Sequence, residues 1–488
     1  MTKKLVAFLT VVGVMAMLSL VGRPRPVAGE SQEPAGKRSV AARISYTGRF
    51  SLSPKKGPAG TLVKAQGSGF DPNTTMDIIW QAFQGSWKIE GEKFLGREFK
   101  DRLEPLGKLQ TDAGGSFATS FRVPQGFGFI HDVLVKQDGT IRNKAGFDVA
   151  MDVSLSPNQG PVGTLITINA KGIGWRPMEN SWAVIYDNKF TGWISAVTTK
   201  GAATGVIPAV GAPGKHIIQI LHASSTFPYL NMQQSPRPER KTWTFEFTLT
   251  DESPVLPPSI LTQVLAPEKG SAPLHSSARL WTNPASGIIG TQVNLQGDGF
   301  PPEQNIELFW SRVKGNRVSG QRWVEDFRSL ATVSTDSDGN IEYTFVAPDD
   351  LGGPHTIEAR LNGQNEADTS FTLTPSALPI EPTSGPVGTN ITLHLKGVGW
   401  TETANIYTLV YDNAHLGYAC GFNSQGDVTI NLPASGEPGW HFIDLYPAIY
   451  KGKDMKWTND FRIPQLTYEK DHPGERLPAF HFAFLVTL

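Results

Sequence analysis

Cysteine is almost absent from this sequence. Cys420 is the single cysteine in 488 residues, so no intrachain disulfide can form and a small disulfide-stapled fold is excluded. No basic neighbour is apparent that would activate its thiol, and we therefore expect Cys420 to be a small buried apolar residue. Stability must come from hydrophobic cores, which repeats of about 100 residues can supply.

The chain also lacks an excess of either charge. Its 44 Lys and Arg residues face 45 Asp and Glu residues, which leaves a formal net charge of -1. No global field then exists to attract nucleic acid, and we expect no nucleic-acid partner. Charged residues make up only 18% of the chain, whereas Gly 50 and Pro 36 are abundant, a composition typical of turn-rich β structure.

Long apolar runs are missing beyond the N-terminal segment. Lys3 and Lys4 precede an apolar run from Leu5 to Val21, and small residues follow at Val27 to Gly29. This order predicts a signal peptide over residues 1–29 and a secreted or cell-surface protein. An N-terminal anchor that stays uncleaved is the alternative, and it would be the only contact with a membrane.

The sequence also lacks the common motifs for catalysis and for cofactor binding. The sequence contains no nucleophile elbow, no HExxH helix, no paired cysteine motif and no phosphate-binding loop. We therefore predict a protein that is not an enzyme and that uses neither a cofactor nor a metal. Asp336–Asn340 resembles the first half of a calcium loop, but a polar hairpin turn is the favoured interpretation.

What the sequence does contain is a short motif that occurs four times. The motif is G-x-x-G-T, and each copy precedes a segment in which apolar and polar residues alternate, as in Leu165–Lys171. The copies are Gly57–Thr61, Gly160–Thr164, Gly287–Thr291 and Gly385–Thr389. The alternation predicts one strand per repeat whose inward side chains are Val63 and Ala65, Ile166, Ile168 and Ala170, Val293 and Leu295, and Ile391, Leu393 and Leu395.

Two further features recur after this strand. A Gly-x-Gly-aromatic segment ends at Phe70, Trp175, Phe300 and Trp400, where the ring is expected to close the end of a sandwich. A histidine then opens a later strand at His131, His216, His355 and His441. Because a catalytic group is rarely needed once per repeat, we expect these histidines to be half-buried and bonded to a neighbouring loop.

These motifs resemble bacterial immunoglobulin-like repeats, most closely the IPT/TIG type, over roughly residues 45–488. The resemblance implies an immunoglobulin-type β-sandwich used in extracellular and cell-surface proteins, sometimes beside carbohydrate-active enzymes. It implies no shared catalytic residues. The fold class is therefore predicted to be all-β, with four tandem immunoglobulin-like β-sandwiches.

The four repeats are of two kinds that alternate as A-B-A-B, because an A-B pair has been duplicated. The second and fourth share a Lys-Gly-x-Gly-Trp segment and a Tyr-Asp-Asn group that the others lack. The predicted boundaries are residues 45–150 for A1, 151–250 for B1, 251–279 for a Pro-rich linker, 280–375 for A2 and 376–488 for B2. Four sandwiches joined end to end would form an extended rod.

Candidate binding residues are those that only the B repeats share. An aromatic, a carboxylate and an amide beside a second aromatic could bind a sugar ring; the alternative is a turn at Asp-Asn with the rings packed in the core. The candidates are Tyr186, Asp187, Asn188 and Trp193 in B1, and Tyr411, Asp412, Asn413 and Tyr418 in B2. Each B repeat also has a long segment before its last strand, containing Glu239-Arg240 or Glu475-Arg476, where we expect functional loops.

The first functional hypothesis is a structural or adhesive component of the bacterial cell envelope that binds a cell-surface protein or a glycan. The second is a carbohydrate-binding accessory protein of an exported polysaccharide-processing system. An unrecognised hydrolase is the third.

Overall fold

The structure is a computed structural model that describes residues 46–176, 179–224, 227–234, 242–258, 277–314, 324–450 and 461–488. The predicted signal peptide, most of the Pro-rich linker and the Glu239-Arg240 pair lie outside these residues. Within the described ranges, no helix combines the length and the hydropathy needed to cross a membrane.

Each repeat is a β-sandwich, so the predicted all-β class with tandem sandwiches is confirmed. In A1 a three-stranded sheet in the order β1-β3-β6 faces a five-stranded sheet in the order β2-β8-β7-β4-β5. The strands of A1 are β1 (Arg49–Ser53), β2 (Lys56–Gly57), β3 (Leu62–Ser68), β4 (Thr75–Glu90), β5 (Lys93–Gln110), β6 (Phe117–Arg122), β7 (Phe129–Gln137) and β8 (Thr140–Val149).

B1 has the same topology, with sheets β9-β11-β14 and β10-β17-β15-β12-β13. Short β16 pairs with β15, and a 3-10 helix spans Met232–Gln234. The strands of B1 are β9 (Asp152–Ser156), β10 (Gln159–Gly160), β11 (Leu165–Lys171), β12 (Trp182–Tyr186), β13 (Lys189–Ile194), β14 (Ala202–Pro208), β15 (Gly214–Ser224), β16 (Phe227–Pro228) and β17 (Trp243–Leu249).

The second pair repeats the first. A2 has sheets β18-β20-β23 and β19-β25-β24-β21-β22, and B2 has sheets β26-β28-β31 and β27-β33-β32-β29-β30. The strands of A2 are β18 (Arg279–Asn283), β19 (Ser286–Gly287), β20 (Gln292–Asp298), β21 (Asn305–Lys314), β22 (Val324–Ser334), β23 (Ile341–Val346), β24 (Gly353–Leu361) and β25 (Gln364–Leu373). Those of B2 are β26 (Ser376–Ala377), β27 (Ser384–Pro386), β28 (Asn390–Lys396), β29 (Ile406–Tyr411), β30 (Ala414–Cys420), β31 (Val428–Pro433), β32 (Gly439–Ala448) and β33 (Phe480–Thr487).

The alternating strand after each G-x-x-G-T motif is the centre of the three-stranded sheet. Its predicted inward side chains are all buried, as the alternation requires. The motif itself forms the turn before this strand: Gly60 has φ 86°, and the Thr61 hydroxyl donates to the Pro58 carbonyl over 2.6 Å. The second glycine is needed because other residues rarely adopt this backbone conformation.

Each A repeat joins its B repeat through the same glycine contact. Gly128 pairs with Gly174 in the first half, and Gly352 pairs with Gly399 in the second. A Cβ at Gly128 would lie 1.8 Å from the Gly172 carbonyl, and one at Gly352 would lie 2.0 Å from the Gly397 carbonyl. The A-B pair is therefore a structural unit that occurs twice.

The two B repeats pack directly against each other. The Thr191 hydroxyl donates to the Asn413 carbonyl over 2.9 Å, and the Asn413 amide donates to the Pro208 carbonyl over 2.8 Å. The B1 core continues into Phe442 and Tyr446 of B2 without a break. The end-to-end rod is therefore wrong, because B2 covers apolar surface of B1 that a linear array would leave in water.

The aromatic that ends the Gly-x-Gly segment has a different role in B1 than in the A repeats. Phe70 and Phe300 are buried in the cores of A1 and A2, as expected. Trp175 of B1 is only partly buried and stacks on Phe83 of A1, with ring centroids 3.8 Å apart. Its ring therefore joins two repeats.

The expectation for Cys420 is wrong, because its side chain is exposed. It ends β30, a strand in which Leu416, Tyr418 and Cys420 are the exposed positions. Period-two alternation places these three on the outward face.

Candidate functional site

The Tyr-Asp-Asn groups form the tight turns of two hairpins. Asp187 and Asn188 have φ values of 47° and 62°, and they connect β12 to β13 as a two-residue loop. Asp412 and Asn413 repeat this geometry between β29 and β30, with φ values of 46° and 58°. Two positive φ values are the signature of the hairpin turn whose twist fits the flanking strands.

The tyrosine of each group is packed in the core of its repeat. Tyr186 is 1% exposed, and its hydroxyl donates to the Val210 carbonyl over 2.8 Å. The Tyr411 hydroxyl donates likewise to the Ser435 carbonyl over 2.7 Å. Neither ring offers an open face to a sugar in this arrangement.

The aspartate of each turn holds the repeat histidine. Nδ1 of His216 lies 2.6 Å from an Asp187 oxygen, and Nδ1 of His441 lies 2.5 Å from an Asp412 oxygen. A carboxylate only accepts, so Nδ1 carries the hydrogen in both cases. The hydrogen bond to Asp412 raises the pKa of His441 above its usual value.

The histidines bond to a neighbouring loop in all four repeats, as expected. In each case Nε2 lies 2.7 or 2.8 Å from the carbonyl oxygen four residues earlier. His131 and His355 are more deeply buried than expected, at 1% exposure. Their Nδ1 atoms face backbone carbonyls, and burial lowers the pKa of His131.

The remaining predicted residues lie in different surroundings. Trp193 is fully buried between the B repeats, and its indole nitrogen has no hydrogen-bond partner within the described part of the chain. Asn413 is fully buried in the same contact. Tyr418 is 46% exposed, with the Arg462 guanidinium 5.3 Å from its ring centre. The predicted residues therefore do not converge on one site, and a sugar site at them stays a prediction.

A buried carboxylate fixes the contact between the B repeats. Asp471, in the long segment of B2, accepts hydrogen bonds from the Ser195 hydroxyl, the Val197 amide, and the amide and hydroxyl of Thr198, at 2.6 to 2.8 Å. The Trp87 indole of A1 donates to the same carboxylate over 3.2 Å. Asp471 thus connects three repeats.

The β4-β5 hairpin of A1 reaches across to B2. The Phe94 amide, near its tip, donates to the Glu402 carboxylate over 2.8 Å, and the Glu402 amide donates to the Glu92 carbonyl over 2.8 Å. The Phe94 ring packs with Trp193 and Phe461 in one buried cluster. The hairpin therefore reinforces the position of B2 on B1.

A cavity of about 490 Å³ lies between the fixed B repeats. One wall comes from β11 and β14 of B1, and the opposite wall from β32, β33 and the long segment of B2. The start of the linker, Val255–Pro258, closes a third side. This volume lies within the ~300–1,000 Å³ range of small-molecule sites.

The polar end of the cavity is built on two neighbouring strands of B2. Asp444 of β32 faces His481 of β33, and an Asp444 oxygen lies 2.7 Å from His481 Nδ1. Burial alone lowers the pKa of His481, but the hydrogen bond and the charge of Asp444 outweigh it, so the pKa is raised. The Tyr446 hydroxyl and the second Asp444 oxygen are buried, and the described residues offer them no hydrogen-bond partner.

The Asp444–His481 pair belongs to B2 alone. The equivalent pair in B1 is Gln219 with Thr244, as the strand register shows. The pair was not predicted from the sequence, because the predicted site residues are those that both B repeats share. The long segment of B2 was predicted to carry a functional loop, and it supplies residues 465, 466, 468–470 and 476–479 to the cavity wall.

Charges gather where the long segment borders the cavity. Arg476 forms an ion pair with Glu469, and Lys470 has no carboxylate partner among the described residues. Burial raises the pKa of the adjacent Glu475 to about 6. Nowhere in the described ranges do three or more His, Cys, Asp or Glu side chains cluster to hold a metal ion.

Comparison with known proteins yields structural overlaps only. A cryo-EM structure of native E. coli alpha-2-macroglobulin matches with TM-score 0.18 and 12% identity, over 91% of this chain and 32% of that chain. A structure of E. coli alpha-2-macroglobulin activated by porcine elastase matches with TM-score 0.15 and 11% identity, over 90% of this chain and 44% of that chain. A Corynebacterium diphtheriae protein described as membrane anchored matches with TM-score 0.18 and 12% identity, over 67% of this chain and 91% of that chain.

This chain spans less than half the length of the macroglobulin chains that it overlaps. No family model and no curated protein matches it. At these TM-scores the overlaps assign neither topology nor function, and the resemblance to IPT/TIG repeats stays a prediction.

Proposed function

We propose that this chain is an exported, non-enzymatic immunoglobulin-like protein of the bacterial cell envelope that binds a partner molecule in the cavity between its B repeats. One observation carries the proposal: three separate parts of the chain, B1, the linker and B2, converge on a cavity of ligand size. The signal-like segment at residues 1–29 supports export.

The contacts around the cavity support a preorganised site. Asp471 and the A1 hairpin hold the two walls together through buried hydrogen bonds. Walls that are fixed before binding lose little conformational entropy when a ligand enters. The contacts between repeats therefore fix the cavity walls in addition to stabilising the fold.

The chemistry of the lining supports binding without turnover. Asp444 and His481 resemble the base half of a hydrolytic site, but the lining residues include neither serine nor cysteine. The hydroxyl of Thr204 is used in a 3.0 Å hydrogen bond to Asn169. Covalent catalysis needs a nucleophile within reach of its base.

Glycan binding at the surface of B2 is a second candidate. Tyr418 exposes almost half of its side chain beside Arg462, and an exposed aromatic ring can stack on a sugar. This surface belongs to the edge strand β30 and is separate from the cavity lining.

Capture from an envelope extract tests the proposal. Immobilised full-length protein is compared with Leu165→Trp, which fills the cavity rim, and with Leu62→Trp as the matched control. Leu62 occupies the equivalent strand position in A1 and is similarly exposed, at 52% against 59%. Mass spectrometry of proteins and small molecules is expected to find a species retained by the wild type and the control but lost with Leu165→Trp.

Equal capture by all three proteins would contradict the cavity as the binding site. Loss of a captured glycan in Tyr418→Ala alone would favour the second candidate. Turnover by the purified wild type on a panel of hydrolase substrates would contradict the non-enzymatic assignment.

A further inference from the structure

Part of the cavity wall is apolar and offers no backbone hydrogen-bond donor. Six prolines contribute to its lining, and a proline has no backbone N–H. They are Pro208, Pro257, Pro258, Pro375, Pro447 and Pro478. A peptide or a sugar would leave most of its polar groups without partners against such a wall, which costs free energy.

Apolar side chains extend from this part of the wall to the surface. Leu165, Val255 and Leu256 line the cavity and are 59%, 47% and 43% exposed. Phe442 and Tyr446 lie deeper, on the face of β32 that B1 covers. The apolar path from rim to floor therefore suits a chain-like or flat hydrocarbon.

Hydrogen-bonding chemistry is concentrated at one end, at His481. Its Nδ1 is occupied by Asp444, while Nε2 has no hydrogen bond among the described residues and the side chain is 44% exposed. A cationic His481 can donate from Nε2 to an anion without losing Asp444.

The charged side chains that line the cavity leave one positive charge in excess. Asp444 is balanced by a cationic His481, and Glu469 is balanced by Arg476, which leaves Lys470. Glu475, whose charge acts on the lining residue Tyr468, is not itself part of the lining. Tyr446 and Tyr468 are the other titratable groups that line the cavity. The B1 wall and the linker wall contribute none.

Building on the proposed function, we propose that the cavity binds an amphiphile with an apolar body and one anionic head, the head lying against His481. A free single-chain carboxylate and the chain and head of an anionic lipid share this chemistry.

Calorimetry with full-length protein tests the ligand class. The probes are decanoate, decanol and decyltrimethylammonium, which share one chain and differ in the charge of the head. Decanoate is expected to bind at least about tenfold more tightly than either of the others. Its affinity is expected to fall as pH rises through the raised pKa of His481, because the imidazole then loses its proton.

A second arm separates the two sources of the ligand. Vesicles of phosphatidylglycerol are incubated with the protein, which is then re-isolated and extracted. Recovered lipid together with weak decanoate binding identifies a membrane lipid as the source, and tight decanoate binding identifies a free amphiphile. Failure of both decanoate and vesicle lipid to bind overturns the proposal.

Variants locate the site and check the role of the head contact. Leu165→Trp and Val206→Trp are expected to abolish binding, whereas Leu62→Trp is expected to retain it. His481→Phe is expected to remove the pH dependence and the preference for decanoate over decanol. His394→Phe, which changes a half-buried histidine on another strand of B2, is expected to change neither. Circular dichroism confirms folding of each variant.

The outcomes also distinguish this inference from the proposed function. If Leu165→Trp prevents capture of an envelope partner but no amphiphile binds, the cavity is a binding site and the ligand class is wrong. An unchanged decanoate affinity in both tryptophan variants places any amphiphile elsewhere and overturns the inference.

Discussion

His481 donates its Nδ1 hydrogen to Asp444 across neighbouring strands of B2, over 2.7 Å, at the polar end of a cavity that B1 helps to enclose. The partner carboxylate keeps this imidazole in one tautomer and raises its pKa against the effect of burial. No other repeat has this pair at the equivalent position, which holds Gln219 and Thr244 in B1, Leu134 and Lys144 in A1, and Glu358 and Asp368 in A2. The pairing of these two strands is common to the repeats, but only in B2 does it place a histidine against a carboxylate.

Replacing Asp444 by asparagine should lower the pKa of His481. The variant keeps the side-chain shape but removes the negative charge, and the remaining burial favours the neutral imidazole. A histidine titration followed by NMR, with assignment through His481→Phe, measures the change. An unchanged or higher pKa would show that Asp444 does not control the protonation of His481.

Replacing Asp471 by alanine should loosen the contact between the B repeats. Donors on Ser195, Val197 and Thr198 would lose their buried acceptor, and each buried donor left unsatisfied costs about 1–3 kcal/mol. Hydrogen exchange at the Val197 and Thr198 amides should rise strongly. Asp298→Ala, which breaks an exposed pair with Arg279, is the control and should cost at most about 1 kcal/mol.

Exchange at Val197 and Thr198 that matches the wild type in Asp471→Ala would contradict this role of the carboxylate. Equal destabilisation by Asp298→Ala would also contradict this role. The exposed Arg279 can bond to water once Asp298 is removed, so that variant should lose little stability.

His441 of B2 and His131 of A1 should give opposite pH dependences of stability. His441 has a raised pKa, so its stabilisation is complete below the unfolded value of about 6.5 and is lost as pH rises through the folded value. His131 has a lowered pKa, so its stabilisation is present above about 6.5 and is lost as pH falls.

His441→Gln should therefore cost more stability at about pH 5 than at about pH 8, and His131→Gln should show the reverse. Hydrogen exchange in β32 and β7, measured at both pH values, reports on each repeat separately. If both variants cost more stability at the same pH, the raised pKa of His441 and the lowered pKa of His131 would be contradicted.

Local motifs made the sandwiches predictable from sequence. Val63, Ile166, Val293 and Ile391 follow their G-x-x-G-T turns in one register, and all four are fully buried. The turn and the alternation act within a few residues, so the sequence displays them directly. The same reasoning explains why the Asp-Asn turns, with Tyr186 and Tyr411 in the core, were among the foreseen alternatives.

The side-by-side packing of the B repeats was not foreseen, because it depends on residues far apart in the chain. Thr191 and Asn413 are 222 positions apart, and no local motif marks their contact. One signal was available: Trp182–Tyr186 and Ile406–Tyr411 are buried at every position and do not alternate. Continuous apolar strands indicate a sheet that is covered on both faces.

The most direct test of a ligand cavity between the B repeats is a crystal structure of the full chain with ω-bromodecanoate, with the bromine located by anomalous scattering. The account predicts one bromine position inside the cavity near Val206 and Phe442, with the carboxylate within hydrogen-bonding distance of His481 Nε2. A bromine found only outside this cavity, or B repeats that lie apart in the crystal, would contradict it.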